Sequence, residues 1–263
     1  MRWELTADEF KALCNRYADG AMPPPLTYTS RTRYLDDFEH ELAALEVGLR
    51  DRMDSGLAAA FETIAHPEVA VYSSTWCDTD TDNPEKRTRV HGARRGWSAV
   101  MITQKPGETI YHSNGYTLTE CEPDALPALI VQQLPDTQAG SAAPVPIVFE
   151  PPERDPYEVR QMLAFDSFDD TAEMQGQTFW ARPAEWTGFI RVRQCRSIYG
   201  PRGVLEASMM WRDLPGDGRY LIDLDEPETR AIGAGPERLA KRLGQSVDRV
   251  LRHMEERGEE LVM

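Results

Sequence analysis

The stretch PDTQAGSAAPVPIVFEPP, residues 135–152, is rich in Pro, Gly and Ala and separates two segments built on one plan. On each side a helix, several short strands and a closing helix follow in that order. Internal duplication of this kind fixes an architecture before any motif is read. The joint is interrupted only by the apolar patch Ile147, Val148 and Phe149.

Upstream of the joint, the first copy opens with Leu35, Phe38, Leu42, Leu45 and Leu49 on one helical face, continued by Leu57, Phe61 and Ile64 after the Ser55-Gly56 interruption. His66-Pro67 stops that helix. Strands are predicted at Val69–Trp76, Arg87–His91 and Trp97–Thr103, the last with a continuous apolar run (Ala99, Val100, Met101, Ile102) that reads as burial on both faces. Lys105-Pro106-Gly107-Glu108 is a turn, and Thr109–Thr119 continues as strand, with Asn114-Gly115 readable as a bulge or as a further turn. The copy closes with a helix over Pro123–Leu134, in which Leu126, Leu129, Ile130 and Leu134 recur at helical spacing.

Downstream, Pro156 begins a helix that carries Val159, Met162 and Leu163 inward. Strands follow at Trp186–Arg196, Val204–Arg212 and Arg219–Leu224, with a short fourth at Thr229–Ile232 and turns at 199–203 and 215–218. Gly235-Pro236 starts the last helix, whose stripe is Leu239, Leu243, Val247, Val250, Leu251 and Met254, and Gly258 releases it. The expected fold is α+β: a pseudo-twofold, duplicated helix–strands–helix unit forming a largely antiparallel central sheet flanked by helices. One domain over residues 1–263 is expected, with halves at about 30–134 and 153–257 joined by 135–152, because pairing across the pseudo-twofold hides two strand edges that neither half can cover alone.

Composition narrows the partners. With 29 Lys and Arg against 44 Asp and Glu the formal charge is −15, which argues against nucleic acid and anionic lipid as ligands. No apolar run is long enough to span a bilayer, and Met1–Leu13 lacks the basic start and apolar centre of a signal peptide, so a cytoplasmic protein without membrane insertion is expected. Cys14, Cys77, Cys121 and Cys195 are scattered without paired spacing and read as reduced thiols, neither a disulfide framework nor a zinc knuckle.

Few residues carry chemistry. Asp78-Thr79-Asp80-Thr81-Asp82-Asn83 resembles the opening of a calcium-binding loop, but the Gly needed at its sixth position is Asn83 and the Glu needed at its twelfth is Arg89. Gly233-Ala234-Gly235 resembles a phosphate-cradling turn, yet Pro236 removes an amide donor and helix initiation explains it better. The histidines His40, His66, His91, His112 and His253 never pair at ligand spacing, and no Gly-x-Ser-x-Gly elbow exists. His91 and His112 lie on candidate neighbouring strands, so a hydrolase or metal-dependent enzyme using them with the Asp78–Asp82 loop is the alternative to a non-enzymatic protein. Trp76, Trp97, Trp180, Trp186 and Trp211 lie on or beside strands, where aromatics serve either core or binding groove. Met209-Met210-Trp211 carries the same ambiguity.

At the N-terminus, Trp3-Glu4-Leu5 forms a strand tip, and Thr6 with Glu9 forms a capping box that opens a helix burying Phe10, Leu13 and Tyr17 and ending near Gly20. The stiff segment Met22-Pro23-Pro24-Pro25-Leu26 follows. This opening resembles the EspG family, the ESX secretion-associated proteins of actinobacterial type VII secretion. The likeness continues through the helix stopped by His66-Pro67, the Pro-rich joint, and the strand Gly218-Arg219-Tyr220-Leu221-Ile222 before a Leu-rich terminal helix.

The resemblance implies a cytosolic chaperone that binds the exposed apolar tip of the PPE subunit in a PE–PPE heterodimer, keeps the pair soluble and directs it to one secretion system. The binding surface in the family is the central sheet with the C-terminal helices, and no catalytic residue, metal or cofactor belongs to it. Expected partner-binding residues, chosen for polarity and expected exposure, are Asp78, Asp80, Asp82 and Arg87 in the acidic loop and Arg249, His253 and Glu256 on the last helix. An adaptor for another helical partner would use the same surface.

Overall fold

Thr6 stands between strand β1 (Arg2–Leu5) and helix α1 (Ala7–Tyr17), where its hydroxyl accepts from the Glu9 amide at 3.2 Å and the Glu9 carboxylate accepts from the Thr6 amide at 2.9 Å. The capping box therefore forms as the sequence predicts. The structure, a computed structural model, describes residues 1–50, 52–148 and 169–258. The predicted Pro156 helix, with Val159, Met162 and Leu163, lies outside the described residues, as do Phe149, Pro152 and the start of the second predicted half at residue 153.

After α1 come α2 (Leu35–Arg50), α3 (Ser55–Ala65), β2 (Val69–Cys77), β3 (Arg87–Arg95), β4 (Ser98–Pro106), β5 (Ser113–Cys121), α4 (Leu126–Val131) and β6 (Val145–Pro146). The second part contributes α5 (Asp169–Ala181), β7 (Trp186–Gln194), β8 (Glu206–Leu214), β9 (Gly218–Asp223), β10 (Arg230–Gly233) and α6 (Pro236–Glu256). Asp54 caps α3 through the Leu57 amide at 2.6 Å, which makes the Ser55-Gly56 interruption the start of a separate helix.

Among the described residues ten strands join one sheet in the order β1-β5-β4-β3-β2-β7-β8-β9-β10-β6. At its centre β2 and β7 pair antiparallel from Val69↔Gln194 to Cys77↔Trp186. Outward from that seam, β3, β4, β5 and β1 on one side match β8, β9, β10 and β6 on the other in strand order, with β1 and β6 lying outside the predicted halves. Each copy gives its first long strand to the seam, so neither half leaves that strand as an exposed edge.

Alternation along the strands sends Val69, Val71, Val90, Met101, Ile190, Val192, Met209, Trp211 and Leu221 to one face, where α4 and α6 cover them. Leu239, Leu243, Val247, Val250 and Met254 are the covering stripe of α6, as its spacing predicts. The opposite face is divided. Over β3, β4 and β5 it carries α1, α2 and α3, which bury Phe10, Leu13, Phe61, Ile102, Tyr116 and Leu118. Over β8, β9 and β10 it carries α5, which buries Phe179 against Tyr220, Ile222 and Ala231. Asp217, in the β8–β9 turn, ties α5 and the joint to the sheet by accepting from Arg182, Tyr220 and Ser141, and these bonds, led by the Ser141 amide, hold its carboxyl well below the usual range.

Two local expectations change, one open reading is settled and one helix is new. The closing helix of the first copy is a short 3₁₀ turn at Pro123–Ala125 followed by α4, shorter than the predicted 123–134. β4 runs through Pro106, and Thr109–His112 form a turn instead of strand. Asn114-Gly115 is a bulge: Gly115 has φ 130°, the register slips opposite Lys105 and Pro106, and a Cβ there would meet the Leu5 carbonyl oxygen at 2.5 Å. Finally, α5 carries no predicted counterpart, because its outward Met174 and inward Phe179 make no sustained stripe. No helix of the described residues is long and apolar enough to cross a membrane.

Candidate functional site

The divided face leaves a strip along the central seam. Strand register puts Tyr72, Ser74 and Trp76 of β2, Phe189, Arg191 and Arg193 of β7, and Glu206, Ser208 and Met210 of β8 on this face, between the α1–α3 layer and α5. Phe189 is 40% exposed, Arg191, Arg193 and Glu206 are exposed, and Tyr72, Trp76, Ser208 and Met210 are half-buried. Trp76 and Phe189 stack at 5.8 Å between centroids with 28° between planes, and Tyr72 stacks on His91 at 5.6 Å. An aromatic patch rimmed by charge is the composition of a protein-docking surface.

The two predicted clusters of partner-binding residues do not meet. Asp78, Asp80, Asp82 and Arg87 belong to the β2–β3 connection at one end of the sheet, whereas α6 runs the length of the other face and carries Arg249, His253 and Glu256 to the opposite end. The reason is topological: a hairpin loop lies where β2 ends, and α6 begins near that end and runs away from it for 21 residues. In the loop, Asp80 accepts from Asn83 and Lys86 and is lowered by these bonds, and Arg87 donates to the Thr81 carbonyl at 2.9 Å. Asp78, exposed beside Trp76, accepts from the Thr187 hydroxyl at 2.9 Å, so it borders the strip. Arg249 faces Asp225 at 3.7 Å, His253 contacts Arg257 at 3.2 Å, and Glu256 is exposed.

The residues of the enzymatic alternative are also held apart. His91 is fully buried with Nδ1 2.7 Å from the Pro24 carbonyl, and burial pushes its pKa down to about 4. That carbonyl can only accept, so Nδ1 carries a proton. His112 instead pairs with the Thr109 hydroxyl at 2.8 Å in the β4–β5 turn, and the Cys77 thiol faces Thr79. Among the described residues no group of three or more His, Cys, Asp or Glu is placed to hold a metal ion.

The tryptophans divide between the two roles left open by the sequence. Trp211 is fully buried beneath α6, while Trp76 faces the open strip and Trp97, at the β3–β4 turn, is 83% exposed. Phe189, Arg191 and Arg193 escaped the sequence reading. Their only signal is the odd positions of β7, opposite to the buried Ile190 and Val192.

No curated protein matches the chain. Among solved structures it is similar to the Mycobacterium tuberculosis type VII secretion system chaperone EspG5 in complex with the PE25–PPE41 dimer, at 15% identity over 96% of each chain and a TM-score of 0.54. At that identity the likeness shows the fold. The family model that matches is that of the EspG family, over residues 6–245, and with nearly the whole ordered plan inside that span the chain belongs to the EspG family.

Proposed function

We propose that this protein is a chaperone of type VII secretion that binds PE–PPE-type heterodimers at the PPE helical tip. The observation that carries this function is the open aromatic strip of Tyr72, Trp76, Phe189 and Met210 on the seam of the sheet, in a chain of the EspG family. A helical tip with exposed apolar side chains aggregates in water, and a sheet face with matching apolar surface and a polar rim covers it. Similarity to a chaperone caught with a PE–PPE dimer supports the same partner class. The protein then acts by binding, without a catalytic step, in the cytoplasm. Residues 1–263 serve as one domain, with the halves near 30–134 and 153–257 meeting at the seam so that the partner is held across both.

Asp78 borders this strip and keeps a part in it. Arg249, His253 and Glu256 lie on the other face and have no part in the same contact. Co-expression with PE–PPE pairs from the same genome is expected to give a stable complex by size exclusion. Phe189→Asp, a change at an exposed position, is expected to abolish capture while leaving the thermal midpoint within about 2 °C of wild type. Failure to capture any pair, or capture indifferent to Phe189→Asp, refutes the proposal.

A further inference from the structure

Charge is graded along the open strip. Residues 86–107 and 186–205 hold ten of the 29 Lys and Arg and none of the 44 acidic residues, in a sequence where about one residue in six is acidic. Folding brings these two stretches to the middle of the sheet as β3, β4, β7 and the loop after β7. Four of these cations pair with carboxylates from outside the two stretches, Lys86 with Asp80, Arg94 with Asp124, Arg95 with Glu62 and Lys105 with Glu4, whereas Arg191 and Arg193 stand on the open strip.

Alternation along β7 sends Phe189, Arg191 and Arg193 to the open face in that order, with Phe189 nearest the acidic loop. The Arg191 and Arg193 side chains are 55% and 48% exposed, and Glu206 on β8 faces both, at 3.0 and 3.9 Å. Two guanidinium groups share that carboxylate, the one ion-pair partner of either among the described residues. At the far end Asp78 and Asp82 are exposed, and Asp80 is matched by Lys86. From one end to the other the exposed groups of β7 and the loop run from carboxylates to Phe189 to guanidinium groups, over about 30 Å for a nine-residue strand. At the acidic end Arg87 is half-buried and donates to the Thr81 carbonyl, and Arg89 is buried.

We propose that this grading fixes the orientation of the bound helical tip: an apolar apex seats on Trp76, Phe189 and Met210 while an acidic flank lies over Arg191 and Arg193. The proposal rests on the docking function above and adds the charge of the partner. Docking removes water from the two guanidinium groups, and an acidic flank restores their electrostatic partners. A basic flank in that place meets two positive charges, while a reversed tip sets its acidic flank against Asp78 and Asp82.

The test uses two kinds of probe. One is a pair of synthetic helical hairpins with the same Leu and Phe apex, flanked on one side by Glu in the first and by Lys in the second. The other is a PE–PPE pair from the same genome. Wild type is expected to bind the Glu-flanked hairpin about tenfold more tightly than the Lys-flanked one at low salt, with the difference collapsing near 0.5 M salt. Arg191→Glu with Arg193→Glu is expected to reverse the preference, whereas Arg230→Glu with Arg238→Glu, away from the strip, leaves it unchanged.

Equal binding of the two hairpins, binding of neither, or a preference that survives the Arg191 and Arg193 changes overturns the proposal. A clear Glu preference with no PE–PPE capture overturns the chaperone function and leaves the polarity in place. PE–PPE capture that ignores both salt and the Arg191 and Arg193 changes does the reverse.

Discussion

Replacing Asp213 with Ala leaves a guanidinium in the core without its counter-ion. The Arg219 side chain is 0% exposed and that of Asp213 is 4%, and the two meet in a fork, Nε to Oδ1 at 2.7 Å and Nη2 to Oδ2 at 2.8 Å. Arg219 also donates to the Pro135 carbonyl at 2.7 Å and lies over the Trp211 ring at 4.2 Å, while Thr137 donates to Asp213 at 2.9 Å. The pair thereby fastens the start of the Pro-rich joint to β8 and β9. Breaking a buried pair from one side costs about 3–5 kcal/mol, because the remaining charge keeps its desolvation penalty and loses its partner. The Pro135 carbonyl and the indole stay behind, which places Asp213→Ala near the middle of that range, about 4 kcal/mol. With a urea m-value of about 3 kcal/mol/M the unfolding midpoint falls by about 1.3 M. The double replacement Asp213→Leu with Arg219→Met removes both charges and is expected to recover most of that loss. Urea denaturation followed by far-UV circular dichroism measures all variants. A cost below about 1 kcal/mol for Asp213→Ala, or a double variant no more stable than the worse single one, refutes the reasoning.

His91 links stability to pH. Burial lowers its folded pKa from 6.5 to about 4, so between these values the unfolded chain binds a proton that the folded chain refuses. Its contribution is complete above pH 6.5 and declines as pH falls toward 4, by about 1.4 kcal/mol per unit. His91→Gln keeps a donor for the Pro24 carbonyl and is expected to flatten the stability profile between pH 6.5 and 5, and an unchanged slope rejects this assignment. At Gly188 a Cβ would lie 2.5 Å from Trp211 Cε2, so Gly188→Ala is expected to cost about 2 kcal/mol and to shift tryptophan emission. Stability within about 0.5 kcal/mol of wild type counts against that contact.

Local signals were legible wherever a few neighbouring residues decide the outcome. Thr6 and Glu9 close their capping box whatever packs above them, and the alternating runs of β2, β7, β8 and β9 carry their own period. α5 was not legible, because it commits chiefly Phe179 to the core and draws its hold from Asp217, 35 residues beyond Arg182. β6, two residues long with a proline, exists only because β10 offers an edge.

The candidate site divides along the same line. Polarity, expected exposure and nearness to the expected surface picked Asp78 and Arg249 together, since exposed charge looks alike in sequence whichever face and end it occupies. Phe189 went unnoticed beside Ile190 for a related reason: both are apolar strand residues, and only the cover over each face separates a core side chain from a docking one.

Duplication, capping, strand period and the acidic balance belong to the sequence by itself, because each is a property of residues near one another along the chain or of their sum. The tertiary structure alone decided that β2 and β7 meet as the seam, that the helices cover one face and divide the other, and that basic stretches of an acidic chain converge at the centre. Those outcomes depend on which distant surfaces exclude water together, and no local pattern encodes that choice.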